Sequence, residues 1–347
     1  MNDLGMRIVD FLLKQMLPDE KWLERTPDGF RWAYSQFGQE VRIEEVRHPD
    51  NPEETGVIVN ISAPMLEDVE NTLANKRIIN DFIGYNTSMC TPVFDEKNGI
   101  FFLNLRAPVQ DDVVEWMEKL LSVTMVMQQH EVLKNVEHLA QMTHSKPAYY
   151  SHPKSGVRTD VDEILKVYSD LIVPFGRMPS MCTSDEITKL ASTKLQEYPF
   201  VLTTYADFGV TTELPQGINT SLLEFNTEEP HPDYGNGLNV KHSFYPIKEE
   251  YKGLNYVAYH NRQLAVSVRS CGFGSFVYRG GFLVYRMFVP NLAYVRGLLW
   301  YLCVSAIVKA RGMNRFLGLP EWNPDSVEKC LVAKMNAILS LSEGKNN

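Results

Sequence analysis

The amino-acid sequence predicts an α+β protein built from two tandem α-β-β-β-α-β-β-α domains, each a mostly antiparallel sheet packed with helices. Three observations support this fold class: the chain matches itself at a constant shift, a turn dipeptide recurs at that shift, and a strand and a helix follow each turn. A shift of 182 residues places Pro64 on Pro246 and Pro108 on Pro290. Self-similarity at a fixed spacing indicates a repeated structural unit, and strands grouped between helices are typical of α+β folds.

The clearest repeated element is a β-hairpin. Asn98-Gly99 in the first copy falls on Gly280-Gly281 in the second, and such dipeptides between apolar runs favour tight hairpin turns. The strands that follow read IFFLNLRAP and FLVYRMFVP. Because side chains alternate between the two faces of a strand, Asn104 and Arg286 occupy the same polar position in the two copies. The pattern predicts a sheet with one apolar face in each copy.

A helix with an apolar stripe is predicted after each hairpin. In the first copy it begins near Gln110-Asp111 and continues to about Met142, which makes it unusually long. Apolar residues recur at helical spacing in this segment, and each meets an apolar residue of the second copy at the shift of 182. The matched pairs are Val113 with Val295, Trp116 with Leu298, Met117 with Leu299, Leu120 with Leu302, and Leu121 with Cys303.

The earlier elements of each copy are predicted from weaker signals. Two helices are expected over residues 4–16 and 66–82 of the first copy, and over 185–198 and 248–266 of the second. The turn at Phe37-Gly38 matches Phe208-Gly209 at a shift of 171, and a third strand ends at Pro64 or Pro246. Since the two shifts differ by 11, the second copy is expected to carry an inserted loop near residues 227–237, which are rich in Pro, Gly, Asn and Asp.

These matches predict the domain boundaries. The first domain is expected over residues 1–143 and the second, duplicated domain over 184–347. Residues 144–183 contain several prolines and are interpreted as a linker. A connection of this length is long for a compact protein, so we expect part of it to pack on the domains, including a short helix over residues 161–171.

Composition narrows the functional class. The net charge is −9 and no Lys/Arg run exceeds two residues, which argues against nucleic-acid binding, since that needs clustered cations. The five cysteines are scattered without a CxxC pair, as expected for reduced thiols in a cytoplasmic protein. The longest uncharged apolar run, Leu298 to Val308, has 11 residues, whereas a membrane span needs about 20. We therefore expect a cytoplasmic protein without membrane insertion.

No catalytic motif is complete. Asp207-Phe208-Gly209 lacks the other kinase segments, and Gly272-Phe273-Gly274 lacks the third glycine of a dinucleotide fingerprint. His130 and His138 lie on one predicted helix without clustered ligands. We therefore predict no catalytic residue, metal or cofactor. The alternative is a metal-dependent hydrolase that uses the acidic and histidine residues of the inserted loop, namely Glu228, Glu229, His231 and Asp233.

The apolar helices supply the candidate binding residues. These are Trp116 and Leu120 in the first copy and Leu298, Trp300 and Tyr301 in the second. Because the second helix, LLWYLCVSAIV, is apolar nearly all round, it is expected to be buried on more than one side. One side of this helix is expected to pack on its own sheet. The other side is expected to pack on the other copy, on another subunit, or on a peptide partner that occupies a groove.

A family resemblance follows from the middle of each copy. Asn75-Lys76-Arg77 and Asn80 lead into Met89-Cys-Thr-Pro-Val-Phe94, the Asn-Gly hairpin and the long helix, and the second copy repeats the pattern from His260-Asn261-Arg262. The chain resembles the YbjN family of bacterial proteins and the type III secretion chaperones, over residues 4–130 and 185–311. Those proteins are usually shorter, and none of their binding residues match here position by position.

The resemblance implies a non-catalytic fold that binds protein segments, as a chaperone-like or regulatory adaptor. Type III chaperones usually act as dimers of one such domain, so a tandem chain implies an internal pseudo-dimer, with a homo-oligomer as the alternative. A structural subunit of a larger assembly is a further interpretation. We therefore expect a protein partner.

Overall fold

The computed structural model describes residues 1–47, 55–86, 88–111, 113–190, 202–206, 208–216, 219–266 and 272–316. Helices pack on two antiparallel sheets in this part of the chain, which confirms the predicted α+β class. No helix among the described residues is both long and apolar enough to cross a bilayer.

The first sheet and its helices come from the N-terminal part of the chain. The elements are α1 (Asp3–Met16), β1 (Leu23–Thr26), β2 (Gly29–Ala33), β3 (Gly38–Arg47), β4 (Thr55–Glu67), α2 (Leu73–Tyr85), β5 (Thr91–Asp95), β6 (Ile100–Val109) and α3 (Val114–Thr143). The long helix α3 is 30 residues, in agreement with the prediction.

A connecting segment leads to the second sheet. It contains β7 (Lys146–Pro147), β8 (Ser151–His152), β9 (Gly156–Val157) and α4 (Val173–Gly176). The second set of elements is α5 (Ser184–Leu190), β10 (Leu202–Ala206), β11 (Gly209–Gln216), β12 (Asn219–Asn226), β13 (Gly237–Pro246), α6 (Glu250–Val266), β14 (Ser275–Arg279), β15 (Phe282–Pro290) and α7 (Leu298–Phe316).

The two sheets have the same strand order. The first runs β1-β2-β3-β4-β6-β5 and the second β10-β11-β12-β13-β15-β14, with β7 adding to β4. Four strands therefore precede the middle helix in each half, so the predicted α-β-β-β-α-β-β-α order was one strand short. The missed strand of the first half is β1, which has only four residues. The missed strand of the second half is β12, which has eight residues and lies between the predicted hairpin at Phe208-Gly209 and the strand that ends at Pro246.

The sheet order also corrects the early repeat match. The turn before Gly38 joins β2 to β3, whereas the turn before Gly209 joins β10 to β11. These hairpins occupy different positions in their sheets, so the match at a shift of 171 was wrong. Two similar aromatic-glycine turns produced it, and only strand pairing distinguishes them.

Helix α2 begins later than predicted. Residue 66 still belongs to β4, where Leu66 pairs with Phe101. The helix starts after Thr72, whose side-chain oxygen accepts a hydrogen bond from Asn75 N, as an N-cap does. In the second half, α5 covers the start of the helix predicted over 185–198, and the remainder lies outside the described residues.

The two halves pack directly against each other along strand β14. The Asn80 amide of α2 donates to Tyr278 O at 3.0 Å and accepts from Tyr278 N at 2.7 Å. Asn261 of α6 makes the same pair of bonds to Phe276, at 3.0 and 2.6 Å. An edge strand exposes unpaired backbone groups, and these two amides satisfy part of that edge.

The segment predicted as a linker is bound to both sheets. Ala148 N donates to Met65 O at 2.8 Å beside the first sheet. The Asn291 amide, which follows β15, donates to Phe175 O at 2.9 Å and accepts from Met181 N at 2.9 Å. In place of the single helix predicted over 161–171, the structure has a 3-10 turn (Glu163–Leu165), a π-helical turn (Tyr168–Ile172) and α4.

Candidate functional site

The apolar residues predicted to bind a partner lie between the final helices of the two halves. The rings of Trp116 on α3 and Tyr301 on α7 meet edge to face, with centroids 5.3 Å apart. Leu120 and Leu298 are buried in the core, and Trp300 packs partly buried against it. Most of this stripe is therefore engaged in contacts within the chain.

The four residues of the predicted hydrolase site are not brought together. Glu228 and Glu229 are exposed, whereas His231 is buried and stacks on Tyr234 with ring centroids 4.6 Å apart. Asp233 forms an ion pair with Lys134 at 2.5 Å. Within the described parts of the chain, no group of three or more His, Cys, Asp or Glu side chains is placed to hold a metal.

The same loop, residues 227–236, is anchored to the first half through a buried carboxyl. Tyr234 Oη donates to Glu131 Oε1 on α3 at 2.8 Å. Glu131 is only 3% exposed. Burial raises its pKa to about 7, although hydrogen bonds from Ser88 and Tyr234 oppose the shift. Because this cluster is closed to solvent, it serves as a structural anchor and offers no access to a substrate.

A serine–histidine pair that sequence reasoning missed is also structural. His242 Nε2 lies 2.9 Å from Ser221 Oγ, and both side chains are fully buried. Burial lowers the pKa of His242 to about 3, which makes the imidazole a weak base. A nucleophile needs an effective base and access to its substrate, and this pair has neither.

In the part of the chain that the structure describes, an open groove lies on the second sheet. It lies on the outer face, which we define as the face turned away from Leu223, His242 and Tyr285 in the core. Its volume is about 800 Å³. The lining residues are Leu222, Glu229, Lys241, Ser243, Phe244, Pro246, Val277, Arg279, Phe282, Val284 and Arg286. Arg279, Phe282 and Lys241 are exposed, so the groove opens to solvent.

Strand register arranges the groove floor in rows across the sheet. The charged row is Glu224, Lys241, Arg286 and Ser275; the apolar row is Leu222, Ser243, Val284 and Val277; and the hairpin row is Pro246, Phe282 and Arg279. Successive rows on one face are two residues apart along each strand, or roughly 7 Å. The apolar row therefore lies between two rows that carry cations.

The cations of the groove differ in their partners. Lys241 pairs with Glu224 at 2.6 Å. The half-buried Arg286 donates from Nη1 to Gly84 O at 2.8 Å, near the C-terminus of α2, where the helix dipole favours a positive charge. Burial and the nearby Arg279 lower the pKa of Arg286, and Glu229 opposes the shift. Among the described residues, neither Arg279 nor Arg286 has a carboxylate within ion-pair distance.

The equivalent row of the first sheet lacks the two central cations. It reads Glu40, Ser62, Asn104 and Thr91, where the second sheet has Glu224, Lys241, Arg286 and Ser275. The equivalence follows from sheet order, since Thr91 and Ser275 each begin the five-residue edge strand. Asn104 is 2% exposed, so this part of the first sheet is closed. The sequence held one signal for the difference, because Asn104 and Arg286 coincide at the shift of 182.

Comparisons with known protein families, curated proteins and solved structures find no match to this chain. The resemblance to YbjN-like proteins and secretion chaperones therefore stays a prediction from sequence pattern.

Proposed function

We propose that this protein is a non-catalytic, chaperone-like adaptor that holds a segment of a partner protein in the groove on the outer face of its second sheet. The groove carries the proposal, since it combines an apolar row with an opening to solvent. Its volume of about 800 Å³ lies within the range of about 300–1,000 Å³ found for ligand sites.

The shape of the groove favours a peptide segment over a compact small molecule. The floor extends across four adjacent strands, from β12 through β13 and β15 to β14, or about 14 Å at the usual strand spacing. Small-molecule sites typically enclose 70–90% of the ligand surface, whereas this floor is bordered by exposed residues such as Phe282 and Pro246. An extended or helical segment can lie along such a surface and leave its outward side chains in water.

We further propose that the adaptor works in the cytoplasm. Cys90, Cys182 and Cys303 are buried free thiols, which suits a reducing compartment. Burial raises the pKa of the Cys182 thiol to about 11, so it is poorly nucleophilic at neutral pH.

A peptide-display selection tests the proposed function. Random peptides of about 16 residues, which span about 50 Å when extended, are selected on the wild-type protein. Ser243→Trp is then used to fill the apolar row, because Ser243 lies in the middle of the floor. We expect selected peptides to bind the wild type and to lose at least about tenfold in affinity, or about 1.4 kcal/mol, on this variant.

The matched control is Ser151→Trp, which places the same side chain at an exposed position on β8, outside the groove. This variant should bind the selected peptides as the wild type does. Failure to enrich any peptide, or equal binding by Ser243→Trp, contradicts the proposed function.

A further inference from the structure

We infer that the groove selects segments in which acidic side chains flank an apolar one, with Arg286 and Arg279 recognising the carboxylates. This inference rests on the proposed function and names the chemistry of the partner. Leu222 of the apolar row, which is partly exposed, and the exposed Phe282 of the hairpin row supply contact area, whereas Val277 and Val284 are buried beneath them. The rows on either side of the apolar row supply the cations.

The local charge of the groove supports an acidic partner. Three cations and one carboxylate line it, namely Lys241, Arg279, Arg286 and Glu229, in a chain whose net charge is −9. Although Lys241 is largely neutralised by Glu224, the two arginines have no ion pair among the described residues. A positive groove on an acidic surface steers carboxylates toward it and rejects cationic segments.

The arginines suit carboxylates by geometry as well as charge. A guanidinium presents several N–H donors in a planar fork that a carboxylate accepts in pairs. Arg286 uses Nη1 for Gly84 O, which fixes the side chain and leaves other N–H groups to face a ligand. A donor held in place before binding loses less conformational freedom when the ligand arrives.

The difference between the two sheets also supports an acidic partner. Ser62 and Asn104 occupy the first-sheet positions of Lys241 and Arg286, so the shared fold is built without these cations in its other half. Burying part of an arginine beside another arginine costs free energy, as the lowered pKa of Arg286 reflects. A carboxylate ligand offsets that cost, because it supplies the missing counter-charge.

The test uses the same peptide library and a charge reversal at Arg279, which is exposed and begins a hairpin turn. Wild-type protein should enrich Asp and Glu on both sides of an apolar residue. The Arg279→Glu variant should lose at least about tenfold in affinity for those peptides, or about 1.4 kcal/mol, and should select Lys or Arg at one flanking position. A variant that had merely lost structure would not acquire this opposite preference.

Arg177→Glu is the control, since Arg177 is exposed outside the groove, and it should leave the selected peptides unchanged. Enrichment of neutral apolar peptides that bind Arg279→Glu equally well overturns the inference but leaves the proposed function standing. A preference for phosphorylated peptides over their carboxylate counterparts also overturns it. Recovery of no peptide at all contradicts the proposed function itself.

Discussion

Glu131 is a buried carboxyl whose ionisation affects the stability of this fold. Its carboxyl is buried on α3 and accepts a hydrogen bond from Tyr234 of the 227–236 loop, so one side chain joins the two halves. Burial raises its pKa from 4.5 to about 7. The protonated form is therefore favoured in the folded protein, whereas the unfolded chain ionises near the ordinary value.

This shift predicts a pH-dependent stability with a defined sign. A carboxyl with a raised folded pKa stabilises the protein fully below about pH 4.5 and loses that contribution as the pH rises toward about 7. Glu131→Gln keeps an acceptor for Tyr234 but does not titrate. The unfolding free energy of the wild type, relative to this variant, should fall by about 3 kcal/mol over that range, as measured by urea denaturation.

Glu115→Gln serves as the control on the same helix, because Glu115 is exposed. The unfolding free energy of Glu115→Gln should change with pH in parallel with that of the wild type. Parallel pH profiles for the wild type and Glu131→Gln would show that the buried carboxyl does not titrate as described.

At the scale of elements, the contact between α2 and β14 is the clearest link between the halves. Asn80 saturates one backbone N–H and one C=O of Tyr278. Asn80→Ala removes both bonds and leaves these groups without that partner, which costs about 1–3 kcal/mol. Urea denaturation should show a loss of this size.

Asn135→Ala is the matched control, since the Asn135 amide donates to Glu131 O within its own helix. We expect this change to stay within about 0.5 kcal/mol of the wild type. If both variants lose the same unfolding free energy, the bonds from Asn80 to the edge strand β14 stabilise the protein no more than a bond within one helix does.

The elements that could be predicted from sequence are those with strong local signals. The hairpin turns at Asn98-Gly99 and Gly280-Gly281 have positive φ at all three glycines, which is why such dipeptides identify hairpins so well. The long helix α3 was predicted from apolar spacing alone. In contrast, β1 is four residues long, too short for side-chain alternation to identify it, and only the pairing of Thr26 with Gly29 across Pro27-Asp28 defines its hairpin with β2.

The site could be predicted only in part, because it depends on tertiary contacts. The sequence repeat placed Arg286 opposite Asn104, which is the key difference between the sheets. It could not place β15 beside β13, nor bring Gly84 of α2 to Arg286. The acidic and histidine residues of the loop were predicted as an alternative hydrolase site from their residue types. The structure leaves Glu228 exposed, whereas His231 is buried and stacks on Tyr234.

The whole molecule is two similar sheets with different outer faces. A single cluster of buried apolar residues contains members of both halves, and the connecting segment binds to each sheet. The first sheet is closed at Asn104, whereas the second has the groove. We propose that the first half stabilises the molecule and the second half binds the partner.

Hydrogen exchange of the full chain with and without a selected peptide tests directly whether the partner binds in the groove. We expect bound peptide to slow exchange in the groove strands β12 to β15 and to leave α3 and α7 unchanged. Protection that instead centres on Trp116 and Tyr301, which join those two helices, would contradict it, because the apolar helix surface would then be the binding site.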